Sequence, residues 1–300
     1  MKKSKSQGIA DLHSHTTASD GTFSYKALID EAVKSGLRAL AITDHDTVSA
    51  LKPAIEYGGE KGIEIVPGIE FSCEEKSLGF DEVHILGLFI DFRNKDLIRL
   101  TNRIKESRIK QKKEMIKKLN SLGLDINFDE AIKLVGYSFG RPHIAQILVK
   151  RYHEKFKSVQ DVFDGYIGIG KPAYVERKDK IRIKTAIDII KKTGGISCIA
   201  HPCLYKDTDV IGIVKLFKKF GGHAIEAHYP YNINIKSEKG ITKRESDRKN
   251  NFVRKLAKEN GMLEAGGSDF HGSIRKVKIG DCRLPENLFK KLKSAANSDK

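Results

Sequence analysis

The sequence repeats one unit along its length: a short apolar run, then a histidine or an acidic residue, then a segment of helical spacing that closes at a glycine. Apolar runs of strand length that alternate with helical segments predict parallel strands covered by helices. The carboxyl ends of such strands lie at one face of a barrel, so side chains that follow different strands converge there. The chain is therefore expected to be an α/β protein with a polar site at one end of its strands.

The apolar runs of this repeat lie at 9–12, 37–42, 63–66, 83–90, 195–200, 224–227 and 262–267. After the first of them, Ser24 is placed to cap a helix, and Phe23 and Leu28 occupy the two positions of a hydrophobic staple. Gly36 is the expected end of that helix. The first strand-to-helix unit is thus predicted from its local signals alone.

Candidate metal ligands follow or lie within these runs. His13 and His15 are two residues apart in an extended segment, so both point the same way and can bind one cation. A single buried histidine is more often a hydrogen-bonded core residue, and the joint placement of the whole set favours a metal centre. Imidazoles and carboxylates without cysteine suit zinc, manganese or iron, and a single ion would leave costly unpaired groups, so two or three divalent cations are expected. The nine candidates are His13, His15, Asp20, His45, Glu70, His84, His201, Asp269 and His271.

Two further acids, Asp44 and Asp46, flank His45. They are interpreted as a helix cap and an orienting carboxylate instead of ligands, and Asp46 is expected to be the cap. Only the nine-residue set is therefore predicted to contact metal.

Residues 98–186 interrupt the repeat with helical patterns and predict an inserted helical subdomain that contributes to substrate binding. The remainder, 1–97 and 187–300, is predicted to form the barrel. The first inserted helix carries lysines and arginines on all sides without a visible stripe, which favours a solvated face over a nucleic-acid surface. A third helix is expected after Gly140, where Pro142 suits the first turn.

The composition says more about the ligands and the location of the protein than about any reaction it catalyses. A net charge of +16 indicates either polyanionic and phosphorylated ligands or a lysine-rich proteome. We find no stretch of about 18 apolar residues and no apolar leader, so a cytoplasmic protein without membrane contact is expected. The 4 cysteines show no CxxC pairing, which is ordinary for a reduced protein and argues against structural zinc. No obligate protein partner is evident.

Six motifs, in the order ADLHSHTTASDGTFS, AITDHDTVSA, VPGIEFSCE, VHILGL, IAHP and GGSDFHG, resemble those of the polymerase and histidinol phosphatase (PHP) family. The resemblance runs from residue 9 to residue 272. It extends to stand-alone members similar to 3′,5′-nucleoside bisphosphate phosphatases and 5′→3′ exoribonucleases, whose helical insertion contains a GRPHIA-like segment, present here at 140–145.

The resemblance implies a distorted (β/α)₇ barrel that holds up to three metal ions, commonly Mn²⁺, Zn²⁺ or Fe²⁺. It further implies that Arg141 and His143 reach from the insertion to the substrate phosphate, and it gives His228, after a strand, a place among the substrate-binding candidates. By the same resemblance the first metal would be held by His13, His15, Glu70 and Asp269, the second by the bridging Glu70 with His84 and His201, and the third by Asp20, His45 and His271.

The expected function is metal-dependent hydrolysis of a phosphoester. A water bound between two cations is the expected nucleophile, and the sequence has no GxxxxGKS phosphate loop of the kind that motors use. The first expectation for the substrate is a nucleoside 3′,5′-bisphosphate that loses its 3′-phosphate, with trimming of short 5′-phosphorylated RNA as a further activity. Two alternatives stay open, a histidinol-phosphate phosphatase, which would be expected to lack the insertion, and a non-catalytic module that binds nucleic acid or a polymerase.

Overall fold

The computed structural model describes residues 8–76, 79–135, 140–178, 180–205, 210–234 and 240–298. The strands are β1 (Ala10–Asp11), β2 (Ala39–Ile42), β3 (Glu64–Glu75), β4 (Phe80–Leu88), β5 (Ile181–Arg182), β6 (Ile196–Ile199), β7 (Ala224–His228) and β8 (Leu263–Gly266). The helices are α1 (Tyr25–Lys34), α2 (Leu51–Lys61), α3 (Lys95–Ser121), α4 (Phe128–Val135), α5 (Arg141–Arg151), α6 (Val159–Val162), α7 (Ile183–Lys192), α8 (Val210–Lys219), α9 (Tyr231–Asn234), α10 (Lys243–Glu259) and α11 (Glu286–Ser298). A π-helical turn at Phe163–Ile167 follows α6, and Pro202–Leu204 and Gly272–Ile274 form 3₁₀ turns.

The strands form a nearly closed barrel. Their order is β1-β2-β3-β4-β6-β7-β8, and β5 pairs with β3 beside this path. Backbone hydrogen bonds join the two ends of the path: the Leu12 N–H donates to the Gly266 carbonyl over 3.2 Å, and the Asp269 N–H donates to the His13 carbonyl over 2.9 Å. The expectation of a distorted seven-stranded α/β barrel is confirmed.

The expectation that every strand runs parallel is wrong at β4. β4 pairs antiparallel with both β3 and β6, whereas the β1–β2, β2–β3, β6–β7 and β7–β8 pairs are parallel. β3 ends at Glu75 and β4 begins at Phe80, so the link is long enough for a turn and too short for a helix. Because β4 is reversed, its beginning lies beside the end of β3, and His84 pairs with Ser72. His84, midway along β4, therefore reaches the same barrel face as residues that follow the parallel strands.

The local signals around α1 are confirmed. The Ser24 hydroxyl accepts a hydrogen bond from the Ala27 N–H, and Gly36, just past the helix, has a φ of 78°. The interpretation of Asp46 as a helix cap is wrong, because α2 begins at Leu51 after Ala50, which makes no side-chain cap. Asp46 is instead a buried acceptor of hydrogen bonds, as described below for the loop that carries His45.

Two hydrophobic clusters support the barrel. One lies between the strands and the surrounding helices and includes Leu40, Ile69 and Phe71. The other is built from residues such as Leu12 and Leu86 together with side chains of α11, which packs against β6 and β8. These apolar layers occupy one part of the barrel and leave the carboxyl end of the parallel strands to polar side chains.

The inserted helices have a core of their own. A third cluster, formed by residues between Met115 and Ala173, includes Leu119, Ile144 and Leu148. The first part of α3 instead packs on the barrel, since Leu97 and Ile104 belong to the cluster around the strands. One long helix therefore connects the two cores, while α7 packs against β3, β4 and β6. The boundaries at 98 and 186 stay a prediction. Across the ranges that the structure describes, no helix is long and apolar enough to cross a membrane.

Candidate metal centre

The structure brings all nine predicted ligands to one end of the barrel. Four groups of their side chains each have ligand atoms within 4.8 Å of one another. These groups are His15, Asp20, His45 and His271; His13, His15 and Glu70; His13, His201 and Asp269; and His45, Glu70 and His84. Several members belong to two groups, so neighbouring positions share ligands. The arrangement suits a polynuclear centre in which one side chain bridges two cations.

Glu70 lies at the middle of the cluster. One of its oxygens, Oε2, lies 3.2 Å from His13 Nε2, 3.1 Å from His15 Nε2 and 3.2 Å from His45 Nδ1. The other, Oε1, lies 3.0 Å from His84 Nδ1 and 3.1 Å from His201 Nε2. One buried carboxylate thus faces imidazoles from several strands, as a bridging ligand must.

Asp269 and Asp20 are the remaining acids of the cluster, and each contacts a different set of histidines. Asp269 Oδ1 lies 3.5 Å from His13 Nε2 and 3.4 Å from His15 Nε2. Asp20, on the loop after β1, lies 3.3 Å from His271 Nε2 and 3.6 Å from His15 Nδ1. These acids and Glu70 supply negative charge at separate points of a histidine cage, which is the requirement for more than one divalent cation.

Orphaned polar atoms test whether these residues fit metal. Among the described side chains, the buried atoms that have no hydrogen-bond partner include ring nitrogens of five of these histidines and one oxygen of Glu70. A buried polar atom without a partner costs about 1–3 kcal/mol, and a cation that accepts its lone pair removes that cost. The atoms are His13 Nε2, both ring nitrogens of His15, His45 Nδ1, His201 Nδ1, His271 Nε2 and Glu70 Oε2. The residues therefore fit divalent metal.

The electrostatics of the protein alone show how strongly these groups are coupled. Burial by itself would raise the pKa of Glu70, but the neighbouring imidazoles, His45 first and then His13 and His84, hold that pKa well below its usual range. Burial would likewise lower the pKa of His84, yet the charge of Glu70 and hydrogen bonds to Glu70 and Glu82 raise it to about 10. Glu70 therefore stays ionised and a protonated His84 compensates part of its charge, whereas burial holds the pKa of His45 well below its usual value. Cations that enter the cluster would replace the proton on His84 as counter-charge.

Two of the predicted ligands have a strained backbone, as do Asp46 and Phe89. His201 and Asp269 have φ values of 30° and 56°, in the left-handed region that non-glycine residues rarely adopt. His201 is the second residue after β6, and Asp269 is the third residue after β8. Such conformations cost about 1–3 kcal/mol each and persist where the surrounding structure enforces them. The strained turns aim these side chains back at Glu70 and His13.

Glu226, in β7, orients His13 and was missed by the sequence interpretation. It is fully buried, its Oε1 lies 3.1 Å from His13 Nδ1, and its Oε2 accepts the His201 backbone N–H over 2.7 Å. A carboxylate on one ring nitrogen holds the other nitrogen toward the metal and fixes the tautomer. The signal was present as a glutamate inside the apolar run AIEAH, where an unpaired charge would be too costly to bury.

A Glu226→Gln variant is expected to bind divalent metal about 10–100-fold more weakly, because His13 loses the carboxylate that orients it. Titration of the metal-free protein with Mn²⁺, followed by calorimetry, measures this affinity. Glu264→Gln is the matched control, since Glu264 lies in the adjacent strand and pairs with His228 over 3.1 Å, away from the four ligand groups. Equal affinities in the two variants would contradict an orienting role for Glu226.

Asp44 and Asp46 lie in the loop after β2. They stabilise the loops of the site and are not members of the four ligand groups. Asp44 is buried and accepts hydrogen bonds from the Thr16 N–H over 2.8 Å, the Thr16 hydroxyl over 2.7 Å and the Ser19 hydroxyl over 2.6 Å. Asp46 accepts the Ser72 N–H over 3.1 Å and forms an ion pair with Arg108 of α3. Asp44 therefore shapes the loop that carries Asp20, and Asp46 fastens the loop that carries His45 to β3 and α3.

A tyrosine and an arginine hold Asp269, and neither was predicted from the sequence. The Tyr229 hydroxyl donates to Asp269 Oδ2 over 2.7 Å, and Arg275 Nη1 donates to the same oxygen over 2.5 Å. These contacts leave Oδ1 of Asp269 directed at His13 and His15. Arg275 also lines the cavity beside the cluster, so its guanidinium is within reach of an anion bound there.

Two cavities meet the cluster. The larger, of about 600 Å³, is lined by Asp81, Glu82, His84, His201, Tyr205 and Arg275, among others. The smaller, of about 290 Å³, lies between α3 and the loops after β1 and β2. His45 lines both cavities. The ligand cluster therefore lies between two spaces that could hold different parts of one substrate.

The three predicted substrate contacts lie in different surroundings. The Arg141 guanidinium lies over the rings of Phe163 and Tyr174, 5.7 Å from each centroid, within the insertion. His143 Nδ1 accepts the Gly140 N–H over 2.9 Å, and burial first lowers its pKa while the charge of Asp20 raises it. His228 pairs with Glu264 over 3.1 Å and is not a member of the four ligand groups. The substrate-binding role of all three stays a prediction.

Comparisons with known proteins point to one family. The family model of the PHP domain matches residues 11–192. The chain is 33% identical over 272 residues to a 5′-3′ exoribonuclease of Haemophilus influenzae, with 90% of this chain and 92% of that protein covered. It is 30% identical over 266 residues to a 3′,5′-nucleoside bisphosphate phosphatase of Chromobacterium violaceum, with 87% of this chain and 86% of that protein covered.

Two solved structures are similar over almost the whole chain. An amidohydrolase from Chromobacterium violaceum, solved with bound sulfate and no metal, has a TM-score of 0.76 and 28% identity, and 95% of this chain and 96% of that chain are covered. A protein from Bifidobacterium adolescentis, assigned as a metal-dependent phosphoesterase, has a TM-score of 0.79 and 23% identity, with 96% of each chain covered. The second of these supports the fold alone.

Proposed function

Since this chain belongs to the PHP domain family, and is a metal-dependent phosphoesterase like its relatives, we propose that it removes the 3′-phosphate of nucleoside 3′,5′-bisphosphates. The observation that carries the proposal is the Glu70-centred cluster, a buried set of imidazoles and carboxylates at the meeting point of two cavities. Short 5′-phosphorylated RNA is the second candidate substrate, because several similar proteins are named 5′-3′ exoribonucleases.

We propose that the nine clustered side chains hold two or three Mn²⁺, Zn²⁺ or Fe²⁺ ions, with Glu70 as the bridging ligand. Such ions supply a deprotonated water near neutral pH and neutralise charge on the phosphoryl oxygens. The protein contributes the positions: Glu226 fixes His13, Asp44 fixes the loop of Asp20, and Tyr229 with Arg275 fixes Asp269. Because these groups are already placed, little reorganisation is left for the reaction itself.

The substrate side of the proposal draws on the two cavities. The larger one is lined by Asp81, Glu82 and Arg275 and is large enough for a small ligand. The Arg275 guanidinium, held by Asp269, can offer its other N–H groups to a phosphoryl oxygen. Arg141 and His143 stay proposed substrate contacts from the insertion, and the charge of Asp20 acts on the pKa of His143.

A comparison of substrates tests the proposal. The protein, loaded in turn with Mn²⁺, Zn²⁺ or Fe²⁺, is given 3′-phosphoadenosine 5′-phosphate, a short 5′-phosphorylated RNA, histidinol phosphate and p-nitrophenyl phosphate. Phosphate release from the first substrate is expected to have the highest kcat/KM, because only that substrate carries a 3′-phosphomonoester beside a second phosphate.

The same comparison separates the alternatives. A preference for histidinol phosphate would replace the proposal with that activity. Absence of turnover on every substrate and with every metal would favour a non-catalytic binding module. Faster release of mononucleotides from RNA than of phosphate from the bisphosphate would make trimming the main activity.

A further inference from the structure

The smaller cavity is a basic cleft beside the metal centre. Its walls are the loops after β1 and β2, with Thr17, Thr47 and Ser49, and the face of α3 that is turned toward them. The residues of α3 that line it are Thr101, Asn102, Ile104, Lys105, Arg108 and Lys112. We call this cavity, defined by Lys105, Arg108 and Lys112, the α3 cleft.

The cations of the α3 cleft form one face of the helix. Lys105, Arg108 and Lys112 are three and four residues apart, the spacing that stacks side chains along one side of a helix. In the sequence these three residues lie among other basic residues that occur all around the helix, which favoured the prediction of a solvated surface. The structure sets one of them apart by burial: Lys112 is only 7% exposed, whereas Lys105 and Lys110 are both exposed. Lys105 differs from Lys110 in lining the cavity. The prediction of a solvated face therefore does not hold at Lys112.

The α3 cleft opens directly on the ligands. His45 lines it and also belongs to two of the four ligand groups. The coupling of His143 shows the same neighbourhood from the other side, since burial, then the charge of Asp20, then that of Lys112 act on its pKa. An anion in the α3 cleft would thus lie beside His45, at one edge of the ligand cluster.

The two cavities differ in charge. Among the residues that the structure describes, the walls of the larger cavity include the carboxylates of Glu70, Asp81, Glu82 and Asp269 and one arginine, Arg275. On the same basis the walls of the α3 cleft include three cationic side chains and one carboxylate, Asp46, which pairs with Arg108 and Arg177. The buried Lys112 acts through a low dielectric and therefore attracts an anion more strongly than an exposed cation such as Lys105 does. A substrate with a second negative group would be drawn to the α3 side.

We propose that the α3 cleft binds a second phosphate of the substrate, through Lys105 and Lys112, while the ester that is hydrolysed lies at the metal centre. The hydroxyls of Thr17, Thr47 and Ser49 provide neutral donors along the opposite wall. The inference rests on the proposed function and adds to it the group that selects nucleotides over simple phosphate esters. The second phosphate is either the 5′-phosphate of a bisphosphate or a phosphodiester of an RNA strand.

The experiment measures discrimination between substrates that differ by one phosphate. For each variant, kcat/KM is determined with 3′-phosphoadenosine 5′-phosphate and with adenosine 3′-monophosphate, and the ratio of the two is compared. Lys112→Gln and Lys105→Gln are each expected to lower this ratio about tenfold or more, mainly through KM, because each removes a charged hydrogen bond. Lys110→Gln removes the same charge from a residue of α3 that does not line the α3 cleft, and it is expected to keep the wild-type ratio.

A parallel arm identifies which phosphate is bound. A short RNA is compared with and without its 5′-phosphate, in the wild type and in Lys112→Gln. Loss of the preference for the 5′-phosphate supports binding of a terminal phosphate in the α3 cleft. A loss of kcat/KM that grows with RNA length and does not depend on the 5′-phosphate supports binding of a phosphodiester.

Several results would overturn the assignment. A wild-type protein that treats the bisphosphate and the monophosphate alike has no second-phosphate site. Equal losses in Lys110→Gln and Lys112→Gln would indicate a general charge effect. A ratio that is abolished by Arg141→Ala but kept by Lys105→Gln and Lys112→Gln would move the site to Arg141, at the start of α5. Absence of turnover even on p-nitrophenyl phosphate in the metal-loaded wild type would instead refute the function on which the inference rests.

Discussion

A Glu70→Gln variant is expected to lose phosphoesterase turnover by on the order of 10³-fold or more. The substitution keeps the shape of the side chain and removes the one carboxylate that faces His13, His15, His45 and His84 together. An amide offers a single neutral oxygen and cannot bridge two cations. We expect the variant to bind fewer metal ions, because those imidazoles lose the charge that holds a polynuclear centre together.

Metal content by atomic emission and kcat/KM on p-nitrophenyl phosphate measure both effects in the same preparation. Glu74→Gln is the matched control, since Glu74 lies in the same strand and pairs with Lys76 over 3.6 Å near the surface. Thermal unfolding without added metal shows whether either variant still folds. A Glu70→Gln protein with full metal content and near wild-type turnover would exclude Glu70 as a bridging ligand.

Much of the ligand cluster could be predicted because strand ends converge by geometry. The runs before His13, His45, His201 and Asp269 are parallel strands, so their ends share one face. His84 reaches that face for a different reason, the reversal of β4, which the length of the β3–β4 link indicates only in retrospect. The position of the residue was predicted, and the topology that places it there was not.

The groups that orient the ligands were harder to predict. Glu226 and His228 lie two residues apart in β7, so their side chains would face the same side of a regular strand. The pairing with β8 is irregular between them, so Glu226 meets His13 while His228 meets Glu264. A single extra residue in one strand reverses which side chain faces the site, and no sequence period reports such a bulge.

Contacts between the insertion and the barrel were equally invisible in the sequence. Arg108 pairs with Asp46 across 62 positions, and Arg177 lies 3.6 Å from the same carboxylate. The helical period could place Lys105, Arg108 and Lys112 on one face but could not say what that face meets. The barrel partner of α3 is fixed by the tertiary structure, and with it the distinction between a solvated helix and the wall of a cleft.

A Gly267→Ala variant is expected to lose about 1–3 kcal/mol of unfolding free energy and, on the order of 10²-fold, its turnover. Gly267 follows β8 at the seam where the barrel closes, and a Cβ there would meet the His13 backbone nitrogen at 2.4 Å and the His13 Cβ at 2.5 Å. Rigid backbone lies on both sides, since the Gly267 N–H donates to the His228 carbonyl over 3.2 Å and the Asp269 N–H donates to the His13 carbonyl over 2.9 Å. The added methyl group must push β1 away from β8 and displace His13 from the cluster.

Gly59→Ala is the matched control, because it adds the same methyl group at a position where no neighbouring atom obstructs it. Gly59 is an exposed residue of α2, and no atom lies within 4 Å of the point that the added methyl group would occupy. Alanine is also the better helix former by about 0.5–1 kcal/mol. Urea unfolding should therefore show Gly59→Ala at or above wild-type stability and Gly267→Ala below it. Metal content separates the two causes of lost turnover, because a displaced His13 weakens metal binding even in the folded protein. If Gly267→Ala matched Gly59→Ala in stability, metal content and turnover, the seam between β8 and β1 would not be what holds His13 in place.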